Sequence, residues 1–483
     1  MTLNFRKTKI IATIGPSILS TDKVLEKALE AGVDIFRINF SHGTYEEHKN
    51  AIEKIRFFSK HLNVHVGILG DISGPKFRIE GVNETKNFYP GDKVSIYLGQ
   101  NKGVKGYWAN IKDFNKTINV GDAIIIGDGD LFLKISSIKG NKIEAIAVSK
   151  GAISSKKGIT IQHYSPKGSI LSEKDKKDIE FAVNNGVDYI AMSFVRNSSD
   201  VEGVRKFVSS MSKDIPIISK IETELAINNL EDIIDKSDGV MVARGDLGIE
   251  VPIQTLPIIQ KKIIRIANSY GVPVITATQM LKSMTDSPLP SRAEVTDVVN
   301  AVLDGSDAVM LSDETTIGQY PVEAIKMLSD LVIEAEKNLN SDLFIKNNIQ
   351  YLSDDIENII SRTVVETSKN ISARAIFTPT SSGKTARYIS RFRPDAPIIG
   401  ITRHLLTYRK LHLLWGVKPL LVDKDYDNIL TEMINHIKEN SDVYGFREGD
   451  NVVITCGYPV HGLPTNLMFV HKVQKDNKNV KNT

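Results

Sequence analysis

The chain has 483 residues, of which 41% are hydrophobic and 25% are charged, a composition typical of a globular protein with several domains. The 61 Lys and Arg residues nearly balance the 58 Asp and Glu residues, and this net charge of +3 argues against nucleic acid or a membrane surface as a partner. The single cysteine, Cys456, excludes an intramolecular disulfide and a cysteine-based zinc cluster. No window approaches the roughly 18 apolar residues of a membrane span, and the N-terminus does not resemble a secretory signal, so we expect a cytoplasmic protein.

A short β-branched run followed by a helical stretch occurs eight times along the chain. The runs are continuously apolar rather than alternating, which is typical of strands covered on both faces. They occupy residues 8–15, 34–41, 64–71, 188–195, 216–223, 239–247, 273–280 and 307–315. Eight such units predict a closed (β/α)8 barrel. An open doubly wound sheet is the alternative, but "IGPSILST" after the first run is not a glycine-rich dinucleotide turn. Ser20 or Thr21, Ser172 with Asp175, and Asp200 are candidate helix N-caps.

The barrel pattern is interrupted once and followed by a third region. Residues 73–169 contain short alternating strands with glycine turns, which predict an antiparallel β-barrel domain inserted as a lid on the catalytic face. The barrel itself is then expected in residues 1–72 and 170–341. Strands and helices alternate again in residues 342–475 and predict a C-terminal α/β domain, whereas the polar tail 476–483 is expected to be disordered.

Polar side chains stand at the carboxyl ends of most of the predicted barrel strands, where such barrels gather their chemistry. They include Arg37, Asn39, Ser41, His42, Asp71, Ser193, Lys220, Glu222, Arg244, Asp246, Thr278 and Glu314. Glu222 and Asp246 follow adjacent strands, so their carboxylates can converge on one hard cation such as Mg²⁺. Lys220 alternates with Glu222 on the same strand face. Together with Arg37 and Arg78, this set predicts an anionic substrate and fits phosphoryl transfer.

Each of these residues also has a purely structural interpretation. Lys220 and Glu222 can form an internal ion pair, Asp246 can cap the next helix, Asn39 and Ser41 can form a turn, and His42 can be packed and inert. The triplet Arg244-Gly245-Asp246 is also a cell-adhesion motif, but it follows a β-rich run rather than lying in a predicted exposed loop.

A phosphate-loop motif is incomplete in the C-terminal region. Gly383-Lys384-Thr385 matches the end of that motif, but Thr378 stands where the first glycine is required. The segment Thr380-Ser381-Ser382 still lies between a predicted strand and a predicted helix. It either binds a phosphate-bearing ligand or caps the helix.

Several motifs, in order, resemble those of the pyruvate kinase family over about residues 6–475. They are "TKIIATIGP", "FRINFSHG", "GPKFRIE", "SKIE", "DGVMVARGDLGIE", "ATQML" and "RAEVTDVVNAVLDGSDAVMLSDET". The resemblance implies a barrel, an inserted lid and a C-terminal regulatory domain. It also implies transfer of the phosphoryl group of phosphoenolpyruvate to ADP, giving ATP and pyruvate, and a homotetramer.

The resemblance also implies roles for individual residues. Glu222 and Asp246 are similar to the ligands of Mg²⁺ or Mn²⁺, and Lys220 to the residue that stabilises the transferred phosphoryl group and the enolate. Further positions resemble substrate contacts (Arg37, Ser193, Gly245, Asp246, Thr278), with Thr278 near the protonation path, and nucleotide-phosphate contacts (Arg78, His42, Lys157). The segment Thr380, Ser381, Ser382, Gly383, Lys384 and Thr385 resembles the loop that binds a phosphorylated effector.

The chain departs from the family pattern at the monovalent-cation site. The family binds K⁺ at positions matching Asn39, Ser41, Asp71 and the Ile72 backbone, and a glutamate after "GP" accompanies K⁺ dependence. Here that position is Lys76. Because a lysine ammonium can supply the charge of K⁺, we predict activity without K⁺. Asp313 also stands where glycine is usual, and "KGITIQHY" differs from the family's lid hinge.

Two other functions compete with this interpretation. A lyase or aldolase on a related barrel also holds Mg²⁺ with Glu and Asp at adjacent strand ends, but it needs neither the insertion nor nucleotide contacts such as Arg78 and Lys157. A metabolite sensor built on an inactive barrel predicts damage to the set Lys220, Glu222 and Asp246, and the sequence shows none.

Overall fold

A computed structural model describes most of the chain. The described residues are 5–75, 77–82, 84–99, 106–111, 118–127, 129–162, 164, 168–348, 355–423, 429–457 and 464–474. Lys76 and the tail 476–483 therefore lie outside the described residues.

Eight parallel strands close into a barrel, as the sequence predicts. They pair in the order β1-β2-β3-β13-β14-β15-β16-β17 and back to β1. Every residue of β3 and of the last five strands is buried, which explains the continuously apolar runs. The strands are β1 (Lys9–Thr13), β2 (Ile35–Asn39), β3 (Gly67–Ile72), β13 (Tyr189–Met192), β14 (Ile217–Ile221), β15 (Gly239–Ala243), β16 (Val274–Ala277) and β17 (Ala308–Leu311).

Helices surround the barrel and begin at side-chain caps in several places. They are α1 (Asp22–Glu30), α2 (Tyr45–His61), α3 (Glu173–Asn184), α4 (Ser198–Ser210), α5 (Glu224–Asn228), α6 (Leu230–Lys236), α7 (Arg244–Glu250), α8 (Leu256–Tyr270), α9 (Arg292–Leu303), α10 (Asp313–Thr316) and α11 (Pro321–Glu336). Thr21 caps α1, and Ser172 forms a capping box with Asp175 at α3, as predicted. The predicted cap Asp200 is wrong: Asn197 caps α4 and accepts the Asp200 N–H.

One strand boundary also differs from the prediction. The run 239–247 ends as a strand at Ala243, and Arg244 is already the first residue of α7. The apolar pattern continues through Leu247 because that side chain is buried as part of the helix. Asp246 therefore lies in the first turn of a helix rather than at the end of a strand.

The insertion after β3 is a strongly curved sheet of short strands. Seven strands pair in the order β12-β8-β9-β10-β6-β7-β4, antiparallel except for the parallel pair β6-β7, and β5 pairs with β11. A bridge between Arg78 and Gly158, just before β4 and β12, joins the two ends of the sheet. The strands are β4 (Ile79–Glu80), β5 (Lys86–Phe88), β6 (Lys93–Leu98), β7 (Tyr107–Ala109), β8 (Ala123–Ile126), β9 (Leu131–Lys139), β10 (Lys142–Ala147), β11 (Gly151–Ile153) and β12 (Ile159–Ile161).

The C-terminal part is an α/β domain with a five-stranded sheet. Its order is β20-β19-β18-β21-β22, parallel except for the last pair. The strands are β18 (Ile376–Pro379), β19 (Ile398–Thr402), β20 (Val417–Leu421), β21 (Asn451–Cys456) and β22 (Leu467–Lys472). The helices are α12 (Ser341–Asn348), α13 (Ile356–Asn370), α14 (Lys384–Ser390), α15 (Leu405–Leu411), α16 (Ile429–Glu439) and α17 (Ser441–Tyr444). Within the described ranges no helix is long and apolar enough to cross a membrane.

Candidate active site

A polar cavity of about 410 Å³ lies between the carboxyl ends of the barrel strands and the inserted domain. The barrel and the lid contribute nearly equally to its lining, and the lid's share includes Arg78, Asp130 and residues 155–158. Residues predicted from the sequence that line this cavity are Arg37, Asn39, Ser41, His42, Arg78, Lys157, Ser193, Lys220, Glu222 and Asp246. Residues far apart in sequence are thus brought to one site, as strand ends of one barrel are expected to be.

Lys220 is the centre of the charged groups in this cavity. Its Nζ lies 2.8 Å from Ser193 Oγ, 3.1 Å from Asp71 Oδ1 and 3.0 Å from Glu222 Oε1. Burial lowers the pKa of Lys220, but the two carboxylates outweigh burial and the pKa is raised well above the ordinary value. Lys220 is therefore a permanent cation held at the wall of the cavity.

Asp71 links Lys220 to the second fixed cation of the site. Its other oxygen accepts a hydrogen bond of 2.7 Å from Arg37 Nε, and Arg37 also donates to Thr13 Oγ1 at 3.0 Å. Burial raises the pKa of Asp71, but Lys220 and Arg37 outweigh it, and the pKa is held below its usual value. One buried carboxylate thereby fixes the positions of two cations that face the cavity.

Asn39 and Ser41 occupy the turn after β2. Asn39 Oδ1 accepts the Ser41 N–H at 3.1 Å, and the hydroxyls of Ser41 and Ser73 lie 2.8 Å apart. This geometry is the turn-forming arrangement that the structural interpretation predicts. The same side chains nevertheless line the cavity, so turn formation and contact with a ligand are compatible.

Glu222 is fully buried and contacts one backbone N–H and one cation. Its Oε2 accepts the Phe194 N–H at 2.7 Å, whereas Oε1 accepts no hydrogen bond and has only its ion contact with Lys220. Burial raises the pKa of Glu222 above its ordinary value; Lys220 opposes this rise and Asp246 adds to it. A buried oxygen in this state is suited to a cation that would neutralise both carboxylates.

The donor set restricts which cation fits. Among the described residues no group of three or more His, Cys, Asp or Glu side chains is placed to hold a metal. Glu222 and Asp246 line the same cavity as a pair of carboxylates. Two carboxylates leave positions for substrate oxygens and water, which is how proteins usually bind Mg²⁺.

The lid brings two of the three predicted nucleotide contacts to the cavity. Arg78 donates to the Lys156 carbonyl at 2.9 Å, and Lys157 forms a 2.6 Å ion pair with Asp130. His42 is exposed on the barrel side, after the turn that follows β2. Arg78 and Lys157 are held by short contacts inside the lid, so movement of the lid would carry both together.

Gly245 and Thr278 contact each other next to the site, although neither is among the residues that line the cavity. The Gly245 N–H donates to Thr278 Oγ1 at 2.9 Å. Thr278 adopts a φ of 70°, which is strained for a β-branched residue. Arg244 Nε donates to the Thr278 carbonyl at 3.1 Å, and Arg244 is in turn paired with Asp297 at 2.5 Å. Arg244 is buried by these contacts, which excludes the adhesion interpretation.

The predicted effector segment surrounds a smaller cavity of about 170 Å³ in the C-terminal domain. Its lining includes Thr380, Ser381, Ser382, Lys384 and Thr385. The Gly383 N–H donates to Thr380 Oγ1 at 2.9 Å, and Lys384 is paired with Glu357. The segment is therefore a formed turn with polar groups around a cavity.

Two contributors to the site were missed from the sequence. Thr13 and Phe194 act through a hydroxyl and a backbone N–H. Thr13 ends a strand and is polar, so it carries the same signal as the residues that were identified. No pattern in the sequence indicates that the Phe194 backbone has a φ of 57° and contacts Glu222.

Comparisons with known proteins match nearly the whole chain to one family. The family model "Pyruvate kinase, barrel domain" matches residues 5–325, and "Pyruvate kinase, alpha/beta domain" matches residues 358–471. The chain is 39% identical to "Pyruvate kinase 2" of Synechocystis sp. over 94% of this chain and 76% of that protein. It is also 39% identical to the proteins named "Pyruvate kinase" of Bacillus licheniformis and Geobacillus stearothermophilus, over 97% of this chain and 80% of each relative.

Proposed function

The chain belongs to the pyruvate kinase family, and we propose that it transfers the phosphoryl group of phosphoenolpyruvate to ADP, giving ATP and pyruvate. The observation that carries this proposal is the buried Lys220, which contacts Asp71, Ser193 and Glu222 in the wall of a polar cavity. A permanent cation at this place suits a reaction in which negative charge moves between oxygens.

In the proposed reaction the chain positions charge rather than forming a covalent intermediate. The bond between phosphorus and the enol oxygen breaks, and a bond forms to an oxygen of the ADP β-phosphate. Lys220 and Arg37 would stabilise the phosphoryl oxygens and the enolate, because both cations are held in place by Asp71 before substrate arrives. The enolate then takes a proton at its methylene carbon. We assign Thr278 to the path of this proton.

The other proposed contacts follow from where the residues lie. Ser193 and Asp246 line the cavity, and Gly245 is adjacent to Asp246. We assign these three residues to substrate binding, and Arg78, His42 and Lys157 to the nucleotide phosphates. The lid carries Arg78 and Lys157, so its closure would bring positive charge over the transferred group.

Glu222 and Asp246 are the residues proposed to hold Mg²⁺ or Mn²⁺. The buried Glu222 carboxylate, whose pKa burial raises, and the two-carboxylate donor set support this assignment. When bound, the metal neutralises charge on phosphoryl oxygens and orients them.

We also propose that the enzyme needs no K⁺. The family positions are Asn39, Ser41 and Asp71, and the proposal rests on Lys76, which lies outside the described residues. Asp71 already pairs with two cations, Arg37 and Lys220. Lys76 would supply a third cation in place of K⁺.

Regulation, assembly and location remain proposals on family grounds. The formed turn at residues 380–385 and its cavity support binding of a phosphorylated effector there. A homotetramer in the cytoplasm is the proposed state.

The test measures ATP and pyruvate formed from phosphoenolpyruvate and ADP with Mg²⁺, first without K⁺ and then with KCl at constant ionic strength. Wild type and Lys220→Met are assayed side by side, with their folding checked by circular dichroism. We expect wild-type activity without K⁺ and a loss of about 10²–10³-fold or more in the variant, the magnitude typical of removing one group that stabilises the transition state.

Other outcomes discriminate between the proposals. A many-fold rise in wild-type rate on adding K⁺ would keep the reaction and discard the role of Lys76. Folded wild type that is inactive in both salts, also when sugar phosphates, nucleotides or phosphoglycerate are added, would overturn the proposed reaction. Substrates of magnesium-dependent lyases would then be tested.

A further inference from the structure

The N-terminal end of the barrel, opposite the active site, carries a repeated aspartate arrangement. Asp34, Asp188, Asp238 and Asp307 each precede an even-numbered strand of the barrel, counted around it: β2, β13, β15 and β17. Each carboxylate accepts the backbone N–H of a residue in, or at the start of, the preceding strand. The donors Ile10, Ile68, Ile217 and Val274 lie at 2.7, 2.7, 3.0 and 3.0 Å. We call these four residues the aspartate ring.

Three members of the aspartate ring also pair with cations of the C-terminal domain. Arg393 contacts Asp307 at 2.9 Å, Arg409 contacts Asp188 at 2.9 Å, and Lys410 contacts Asp238 at 3.3 Å. Asp188 and Asp238 also pair with arginines of barrel helices, at 2.6 and 2.8 Å. The ring is therefore the surface on which the C-terminal domain is held to the barrel.

Arg409 and Lys410 are neighbours on α15, and the same helix contacts the effector segment. Thr407 Oγ1 donates to the Ser381 carbonyl at 2.5 Å. A Cβ built on Gly383 would lie 3.5 Å from a methyl carbon of Leu411, so the turn packs closely on this helix. One short helix thus contacts residues 380–385 through Thr407 and Leu411, and the aspartate ring through Arg409 and Lys410.

The two strands reached by α15 end at the active site. Asp188 precedes β13, which is followed by Ser193, a hydrogen-bond partner of Lys220. Asp238 precedes β15, which leads directly into α7 and Asp246. Each of these strands has only four or five residues, so a shift at its first residue is transmitted along a short, hydrogen-bonded element.

We propose that Arg409 and Lys410 are positioning residues, which couple the effector segment to the substrate-binding ends of β13 and β15. The inference rests on the proposed function, because that function assigns both the effector segment and the substrate contacts. In this arrangement a displacement of the turn at residues 380–385 moves α15, and α15 moves Asp188 and Asp238.

A double-mutant cycle tests the coupling without requiring the effector itself. The variants are Thr407→Val, which removes the hydrogen bond to Ser381, Lys410→Gln, and the two together. The half-saturating phosphoenolpyruvate concentration and kcat are measured for each. We expect each single variant to shift half-saturation by about 3-fold or more with little change in kcat, and the double variant to shift it by no more than the larger single effect.

Matched controls separate coupling from simple docking. Lys410→Arg is expected to retain the wild-type half-saturating phosphoenolpyruvate concentration because it keeps the positive charge. Lys369→Gln removes an exposed ion pair with Asp342 in the same domain and is expected to change nothing. Single effects that multiply in the double variant, or half-saturation that is unchanged while the melting temperature falls, would overturn the coupling and leave only a docking role.

A measurement that does not depend on catalysis distinguishes failure of the coupling from failure of the proposed reaction. Amide hydrogen exchange of residues 193–197 and 244–250 is compared in wild type, Thr407→Val and Lys369→Gln. Faster exchange in Thr407→Val alone supports the coupling even if wild type makes no pyruvate, in which case the proposed reaction fails by itself. Unchanged exchange in both segments would overturn the coupling even if wild type is active.

Discussion

The two ends of the barrel both bury charged groups, but they satisfy them differently. At the N-terminal end each aspartate of the ring receives a backbone N–H and a cation, which is Arg6 for Asp34. At the C-terminal end Glu222 also has a backbone N–H and the cation Lys220, but burial raises its pKa and the neighbouring Asp246 adds to the rise. Burial also raises the pKa of Asp238 in the ring, but Lys410 and Arg205 outweigh burial and the pKa is lowered. Buried charge alone therefore does not mark a functional site. A second carboxylate in the same cavity is what distinguishes the end proposed to bind a cation.

The difference has a physical cause. A fully paired carboxylate gains nothing from an added ligand, because its lone pairs are already occupied and its charge is balanced. At the proposed active-site end a bound cation would neutralise the charge that Glu222 and Asp246 share, so the free protein carries the cost of burying ionised Glu222 until the cation binds. The same comparison predicts opposite responses to mutation at the two ends.

The largest expected effect is on stability, at the N-terminal end. Arg393 is 1% exposed, and its guanidinium also donates to Asn268 Oδ1 at 3.0 Å. Arg393→Met leaves Asp307 buried without its cation and is expected to destabilise the barrel–C-domain contact by about 3–5 kcal/mol. The turnover number at saturating substrate is expected to stay within about 3-fold, since Arg393 is remote from the chemistry. Urea unfolding and steady-state kinetics on the same preparation measure both quantities.

An exposed ion pair of the same domain provides the control for this variant. Arg374 is paired at 3.6 Å with Asp450 and is 53% exposed, so Arg374→Met is expected to cost less than about 1 kcal/mol. Equal losses of stability in the two variants would contradict the view that the ring is a satisfied, buried interface.

The next effect is on function, at the opposite end. Glu222→Gln keeps the shape of the side chain but removes a charge whose burial raises its pKa. Because the folded pKa lies above the unfolded one, ionised Glu222 costs stability, and this cost develops as the pH rises above the unfolded value. We therefore expect the variant at pH 7.5 to be as stable as wild type or more stable, while its half-saturating Mg²⁺ concentration rises by at least about 10-fold.

A Mg²⁺ titration of activity and a thermal melt measure the two responses. Glu231→Gln, a glutamate of α6 remote from the cavity, is the matched control and is expected to change neither. If Glu222→Gln were less stable than wild type and had an unchanged Mg²⁺ requirement, the carboxylate would belong to the satisfied class found at the other end.

Most of the fold and the centre of the site could be predicted from the sequence, and for the same reason. Continuously apolar runs locate buried strands, and the polar residue after each run then locates the site, which is how Lys220 and Glu222 were found. The spacing of residues in the sequence does not predict the direction in which each side chain points. Arg244 follows a strand just as Asp246 does, yet its guanidinium is buried against Thr278 and Asp297 rather than in the cavity.

Other features were missed because only one end of each run was considered. The aspartates of the ring stand immediately before or at the start of four predicted runs, so a search of the other strand end would have found them. The cations that pair with these aspartates could not be predicted from the sequence. Arg393, Arg409 and Lys410 come from a separate domain, and the way two domains pack is not encoded in local periodicity.

The smallest expected effect concerns pH and again the N-terminal end. His412 follows α15, and its ring centroid lies 4.8 Å from that of Tyr408. Burial, together with the nearby charge of Lys9, lowers the pKa of His412 to about 3. The unfolded chain takes up this proton near pH 6.5, so stability falls as the pH drops below about 6.5, by up to about 1.4 kcal/mol for each pH unit, until about pH 3. His412→Gln is expected to flatten this dependence when melting temperatures are compared at pH 7.5 and 5.5, whereas His61→Gln, at the exposed end of α2, is expected to leave it unchanged. An identical pH dependence in wild type and His412→Gln would contradict the assignment of this dependence to the buried His412.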